Sequence, residues 1–195
     1  MGVRILAFAG ALRAGSFNKK LVRLAAAAAR KAGAEVTVID LLDYQLPLYN
    51  GDLEEAEGLP SNARKLKDLF LAHHGLLLAC PEYNSSITAV LKNTIDWVSR
   101  PDGQKPGGGK PLECFDGKTA LLLAASPGQL GGLRGLVTVR SILSNIRVLV
   151  LPEQLAIPKA HEAFSAEETL VDAKLAGVLE GLVQRLVTVT TKLYG

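Results

Sequence analysis

Two stretches of this chain, "GLLLA" at residues 75–79 and "TALLLAA" at 119–125, carry no charge and no alternation of polar with apolar side chains. A strand with one face in water alternates, whereas a strand covered on both faces reads as a continuous apolar run. These runs therefore predict a parallel sheet with helices packed on each side. Val3–Ala9 adds a third such strand, Glu35–Ile39 a short β-branched one, and Val148–Leu151 a fifth.

The segments between them supply the helices. "KKLVRLAAAAARKAG" is rich in Ala and Leu and closes on Gly33; Ser61 to His73, Ile87 to Ser99 and Leu133 to Asn145 follow after later loops. A long last helix is predicted over Ala166–Leu193, with Gly177 and Gly181 marking a place for close backbone approach. Leu41–Pro60 reads as a long loop and Pro101–Gly117 as a Gly- and Pro-rich surface loop. Five strands alternating with five helices, without repeat or linker, imply an α/β chain forming one doubly wound three-layer domain over residues 1–195, with strand order 2-1-3-4-5.

Hydrophobic residues at 48% and charged residues at 21% argue against disorder and leave enough apolar surface for a sizeable core. The net charge of +3 is spread along the chain, so no nucleic-acid footprint is expected. The first apolar run is too short for a membrane span or a signal peptide, which predicts no membrane association and a cytoplasmic location. Cys80 and Cys114 are expected to be free thiols.

In a sheet of this order, ligands bind beyond the strand C-termini where the order reverses, between strands one and three. Three loops reach that edge: "GALRAGSFN" after strand one, "PEYNSS" after strand three and "SPGQLGG" after strand four. The first runs into a helix N-terminus, where free N–H groups and the helix dipole favour an anion, and Arg13, Ser16 and Asn18 add a cation, a hydroxyl and an amide. That set suits a phosphate dianion, although Ser16 or Asn18 can also serve as an ordinary cap with Arg13 in solvent. The dinucleotide fingerprint is absent after strand one, and Pro111 after Gly109-Lys110 rules out a triphosphate P-loop. In the second loop Pro81 ends the strand, and the polar residues behind it expose backbone groups to a flat heteroaromatic edge, while Ser85 or Ser86 is placed to cap the next helix.

"GALRAGSFNKKL" together with "PEYNSSITAVLKNTIDWVSR" resembles the NADPH-dependent FMN reductases, the flavodoxin-like group that includes bacterial quinone and chromate reductases. The resemblance implies that Arg13, Ser16 and Asn18, with Phe17 between them, hold the FMN phosphate. It implies too that Pro81, Glu82, Tyr83, Asn84 and Ser85 run along the isoalloxazine edge, and that Ser126, Gly128, Gly131 and Gly132 approach from the other side. Ala11 stands where the family commonly has Ser, a departure that removes one hydroxyl and about 1 kcal/mol of binding. The implied chemistry is electron transfer from NADPH or NADH through FMN to a small-molecule acceptor such as a quinone, chromate, an azo compound or free flavin, in a ping-pong order. The implied assembly is a homodimer or homotetramer with the "LKNTIDW" helix near the contact.

The protein itself need supply no acid or base, because the cofactor carries the chemistry. Glu82 is expected to serve a local hydrogen-bond network, Tyr83, Tyr49 and Asn50 to border the acceptor site, and Arg13 or Arg100 to meet a nucleotide phosphate. Lys92 and Asp96 are spaced to pair on a helix, Trp97 to pack, and the adjacent His73 and His74 to face apart rather than share a metal. An electron carrier of flavodoxin type is the alternative; such carriers are strongly acidic for docking, and this chain is slightly basic. A flavin-free scaffold is disfavoured by three polar, Gly-rich loops.

Overall fold

The computed structural model describes residues 2–104 and 109–195. Its sheet holds β1 (Arg4–Ala9), β2 (Glu35–Ile39), β3 (Gly75–Ala79), β4 (Thr119–Ala125) and β5 (Leu149–Ile157), all parallel, in the order β2-β1-β3-β4-β5. The helices are α1 (Phe17–Lys31), α2 (Gly51–Glu57), α3 (Ser61–Ala72), α4 (Ala89–Val98), α5 (Leu133–Asn145), α6 (Ala160–Ala163) and α7 (Ala173–Tyr194).

The apolar runs divide by parity. Ile5, Ala7, Leu77, Leu121 and Leu123 pack under α1 and α7, while Leu6, Phe8, Leu76, Leu78 and Leu122 pack under α3, α4 and α5. Successive side chains of a strand point to opposite faces, so only a continuous apolar sequence fills both layers. At Gly75 a Cβ would lie 2.8 Å from Thr119 Oγ1, and that hydroxyl is bonded at 2.6 Å to Thr190 of α7.

Several expectations are corrected. The 41–60 stretch holds a 3-10 turn at Leu41–Tyr44, capped by Asp40, and α2, capped by Asn50 whose Oδ1 accepts from Asp52 N–H at 2.9 Å. Strand five runs to Ile157 rather than ending at Leu151, because a register shift opposite Ala120–Leu122 absorbs Pro152. Arg140 of α5 fills that irregularity, donating to the carbonyls of Leu151 (2.7 Å) and Pro152 (3.3 Å). The last helix starts at Ala173, where Asp172 accepts from Lys174 and Leu175 N–H; residues 164–170 before it close a small bridge. Gly177 and Gly181 have nothing within 4 Å of a Cβ position, so among the described residues no other part of the chain approaches there.

The Pro101–Gly117 segment, of which 105–108 lie outside the described residues, is not wholly surface: Cys114 and Phe115 are buried, and Phe115 packs edge-on to Phe70 at 5.2 Å. Buried Lys67 lies beneath it and donates to the carbonyls of Val98 and Arg100, closing the C-terminus of α4. Burial holds both cysteines as thiols, Cys80 pushed up to about 12 and Cys114 to about 11.

Candidate functional site

The three polar loops meet at the C-terminal edge of β1, β3 and β4 around a hollow of about 140 Å³. Arg13, Ser16, Phe17 and Asn18 line it from the first loop, Pro81, Glu82 and Tyr83 from the second, and Ser126 from the third; Ala11, Ala125 and Pro127 complete it. Asn84, Ser85, Gly128, Gly131 and Gly132 do not line it. A larger hollow of about 420 Å³ lies across α1 against β2. Part of its charged wall is already engaged, since Lys19 Nζ meets Asp40 at 2.5 Å and the Leu12 carbonyl at 3.1 Å.

At the first loop, Ser16 precedes α1 in extended backbone, and its C=O accepts from Lys19 and Lys20 N–H. Ser16 is 5% exposed, yet its hydroxyl makes no hydrogen bond among the described residues, and neither do the N–H groups of Phe17 and Asn18. The first turn of α1 has no acidic residue, and Arg13, which lies 6.0 Å over the Phe17 ring, meets no carboxylate among the described residues. Unsatisfied donors beside an unpaired cation make a candidate anion site.

Asn18 behaves otherwise. It is 3% exposed, its Nδ2 donates to Ala125 C=O at 2.8 Å, and its Oδ1 accepts from Ala125 N–H at 3.0 Å. Both ends of the amide thereby tie α1 to the end of β4, leaving its backbone N–H and the second Nδ2 hydrogen for a ligand.

At the second loop, Tyr83 and Ser86 exchange backbone hydrogen bonds of 2.9 and 3.0 Å around Asn84 (φ 51°) and Ser85 (φ 67°). Two successive left-handed residues define a tight type I′ turn, a conformation Asn tolerates better than most side chains. Asn84 and Ser85 therefore shape the turn that presents Tyr83, which is 60% exposed at the rim. The cap of α4 is Thr88, not Ser85 or Ser86: its Oγ1 accepts from Leu91 N–H at 3.3 Å and donates to Gly10 C=O at 2.7 Å, linking the first loop to the second.

Glu82, which lines the hollow, pairs its carboxylate with Arg134. Burial alone would raise its pKa, but the Arg134 hydrogen bond, backbone N–H groups and the guanidinium charge outweigh that and hold it below the usual carboxylate range. In the third loop Ser126 Oγ accepts from Gly128 N–H at 3.3 Å, and the Gly128 carbonyl accepts from Gly131 and Lys159 N–H.

Residues 3–162 match the family model for NADPH-dependent FMN reductase. The chain belongs to that family. It is an oxidoreductase that takes FMN as cofactor and a reduced nicotinamide nucleotide as donor. Among relatives of the family, an NAD(P)H-dependent FMN reductase of Pseudomonas aeruginosa is 34% identical over 185 residues, covering 94% of this chain and 93% of that one. A quinone reductase of Escherichia coli is 33% identical over 150 residues, 76% of this chain and 73% of that one. The solved structure of FerB, a flavoenzyme NAD(P)H:(acceptor) oxidoreductase from Paracoccus denitrificans, superposes with TM-score 0.80 at 30% identity over 97% and 98% of the two chains. An archaeal flavodoxin at 8% identity and TM-score 0.59 shares the fold.

FMN reductase chemistry needs a phosphate seat and a ring edge, and the free donors of Ser16, Phe17 and Asn18 beside Arg13 fit the phosphate. Arg100 is committed elsewhere: its Nε donates to both oxygens of Glu54 at 2.8 and 2.9 Å, and Tyr49 OH donates to the same carboxylate at 2.8 Å. Together with Asn93, which accepts from Tyr49 N–H and donates to Pro47 C=O, and with Trp97 Nε1 on the same carbonyl, they fasten the 45–57 segment to α4. Lys92 and Asp96 pair at 2.8 Å on that helix. His73 donates through Nδ1 to Leu69 C=O and leaves Nε2 for Thr37, whereas His74 stacks on Tyr194 at 4.8 Å, both far from this edge along the strands.

Sequence reasoning missed Arg134 and Thr88 at this site. Thr88 stands immediately before α4 and has the side chain of a cap, a signal hidden by two serines nearby. Arg134 has no such local signal.

Proposed function

We propose that this chain is an FMN-dependent NAD(P)H:acceptor oxidoreductase whose acceptors are quinones and similarly planar compounds, used in ping-pong order at one shared face. The observation that carries this reading is the unsatisfied cradle of Ser16, Phe17 and Asn18 beside unpaired Arg13, in a chain of this family. Similarity to quinone reductases over three quarters of the chain supports the acceptor class.

FMN, when bound, supplies the redox chemistry, taking hydride from NAD(P)H and returning two electrons to the acceptor. Arg13 and the Ser16 hydroxyl hold its phosphate, with the Phe17 and Asn18 N–H groups. Asn18, through Ala125, keeps the α1 terminus in register with the third loop. Pro81 to Ser85 and Ser126 to Gly132 flank the ring, the Asn84-Ser85 turn sets the reach of Tyr83, and Gly131 and Gly132 let the third loop lie close to its neighbours. Tyr49 and Asn50 contribute to the rim on which the acceptor is selected.

The subunits associate as a homodimer or homotetramer with α4 and the 45–57 segment at the contact; Leu48, 79% exposed beside α4, supports that face. Among the described residues no helix is long and apolar enough to cross a membrane, in keeping with a cytoplasmic enzyme. Light scattering at low concentration tests the assembly, and a fully active monomer would overturn it.

Adding NADPH anaerobically to the FMN-loaded protein is expected to bleach the flavin bands, and a quinone to restore them. Bands that neither NADPH nor NADH bleaches would replace the reductase with an electron carrier. Arg13→Ala is expected to weaken FMN by about ten- to a hundredfold, as for loss of a charge-assisted phosphate contact, while leaving riboflavin affinity unchanged. Fluorescence titration with both flavins checks this; equal losses would place the guanidinium against the ring instead.

A further inference from the structure

Helix α5 begins without a cap of its own. Its N-cap is Gly132, at φ 93° and without a side chain, and its first turn has no acidic residue. The missing acceptor comes from the loop after β3. Glu82 Oε2 accepts from Arg134 N–H at 3.0 Å and Gly135 N–H at 3.3 Å, while Oε1 accepts from Arg134 Nε at 2.8 Å and Nη2 at 2.5 Å. Both carboxylate oxygens are thus used twice, and the side chain is only 9% exposed.

The backbone is shaped to allow it. A Cβ on Gly135 would stand 3.3 Å from Glu82 Cβ and 3.2 Å from Ser86 C=O, and one on Gly132 would stand 2.9 Å from Ala124 Cβ. The start of α5 therefore lies flat against the 81–86 hairpin, with no side chain between them.

We infer that Glu82 is a positioning residue that couples the two loops flanking the flavin ring, capping α5 from the opposite loop so that one carboxylate sets their separation. The inference rests on the proposed flavin site for its functional consequence and on these four hydrogen bonds for its structural one. A carboxylate at a helix N-terminus gains from the dipole as well as from the bonds, and a guanidinium on its other oxygen fixes its orientation. Loss of Glu82 therefore frees both loops, whereas loss of the Arg134 side chain leaves the two backbone bonds in place.

Glu82→Ala, Glu82→Gln and Arg134→Ala separate these roles. Hydrogen exchange on the protein without flavin is expected to rise by about tenfold for Glu82→Ala in peptides covering both 81–88 and 126–137, as for loss of a helix cap with charge-assisted bonds. In the same variant the FMN dissociation constant rises by about tenfold and the visible bands of bound FMN shift. Arg134→Ala changes each readout by about two- to threefold, because the ion pair it removes is screened by water at the exposed guanidinium. The double variant is no worse than Glu82→Ala. Should Glu82→Ala not fold, Glu82→Gln, which keeps the shape and loses the charge, is expected to fall between the two. Faster exchange confined to 126–137, or unchanged FMN affinity and spectrum beside faster exchange in both loops, overturns the coupling. Wild-type protein that binds no FMN overturns the site reading instead, and the exchange data still decide whether Glu82 joins the loops.

Discussion

Asn18→Ala is expected to destabilise the fold by about 2–4 kcal/mol, because it leaves two buried backbone groups unpaired at about 1–2 kcal/mol each, the lower part of the range for such groups. The reason lies in the sheet. On the β3 side of β4 the ladder's last bond is Cys80 N–H to Leu123 C=O, and Pro81 then turns the chain away. Ala125, next along that side, would face no strand; the Asn18 amide supplies the missing acceptor and donor at 3.0 and 2.8 Å. For a chain of this size the loss corresponds to a fall of about 5–15 °C in Tm, read by thermal denaturation without flavin. FMN affinity falls with it, since the α1 terminus loses its tie to the third loop. An unchanged Tm would mean that water replaces the amide at Ala125.

The second large effect is expected at Gly131. Its φ of 61° disfavours any L side chain, and a Cβ there would stand 2.6 Å from Ile157 C and 2.7 Å from Pro158 N. These are backbone atoms and cannot rotate aside, so Gly131→Ala combines overpacking with left-handed strain at about 2–5 kcal/mol. Gly128→Ala, three residues earlier, is the control: its nearest contact is Ser126 Oγ at 3.7 Å, and its effect is expected within about 0.5 kcal/mol. Urea melts of the two variants check the contrast, and equal midpoints would show that the third loop can shift away from β5.

How far the residues announced this architecture depends on how local each cause is. β2, β3, β4 and α5 fall within the expected bounds because apolar runs and helical spacing are properties of neighbouring residues. α2 was missed because "GDLEEAE" has no apolar stripe and only Leu53 to pack; its cap at Asn50 and acidic first turn were its signals. The end of β5 was missed because Pro152 reads as a stop unless its partner strand is known to shift register. At the candidate site, Arg13 and Ser16 are offered by the chemistry of one short loop together with the family resemblance. Asn18 is a candidate from the same loop, but its bonds to Ala125 span 107 positions and leave no local trace. Glu82 and Arg134 are 52 apart, and nothing in either segment points to the other.

The irregular course of β5 also limits growth of the sheet. A strand arriving alongside it would need a continuous row of free N–H and C=O groups. Pro152 has no N–H to offer, and the Leu151 and Pro152 carbonyls are already held by Arg140. The sheet is thereby blocked to strand addition across Leu151 and Pro152, which breaks the continuous row of groups that edge-to-edge stacking requires.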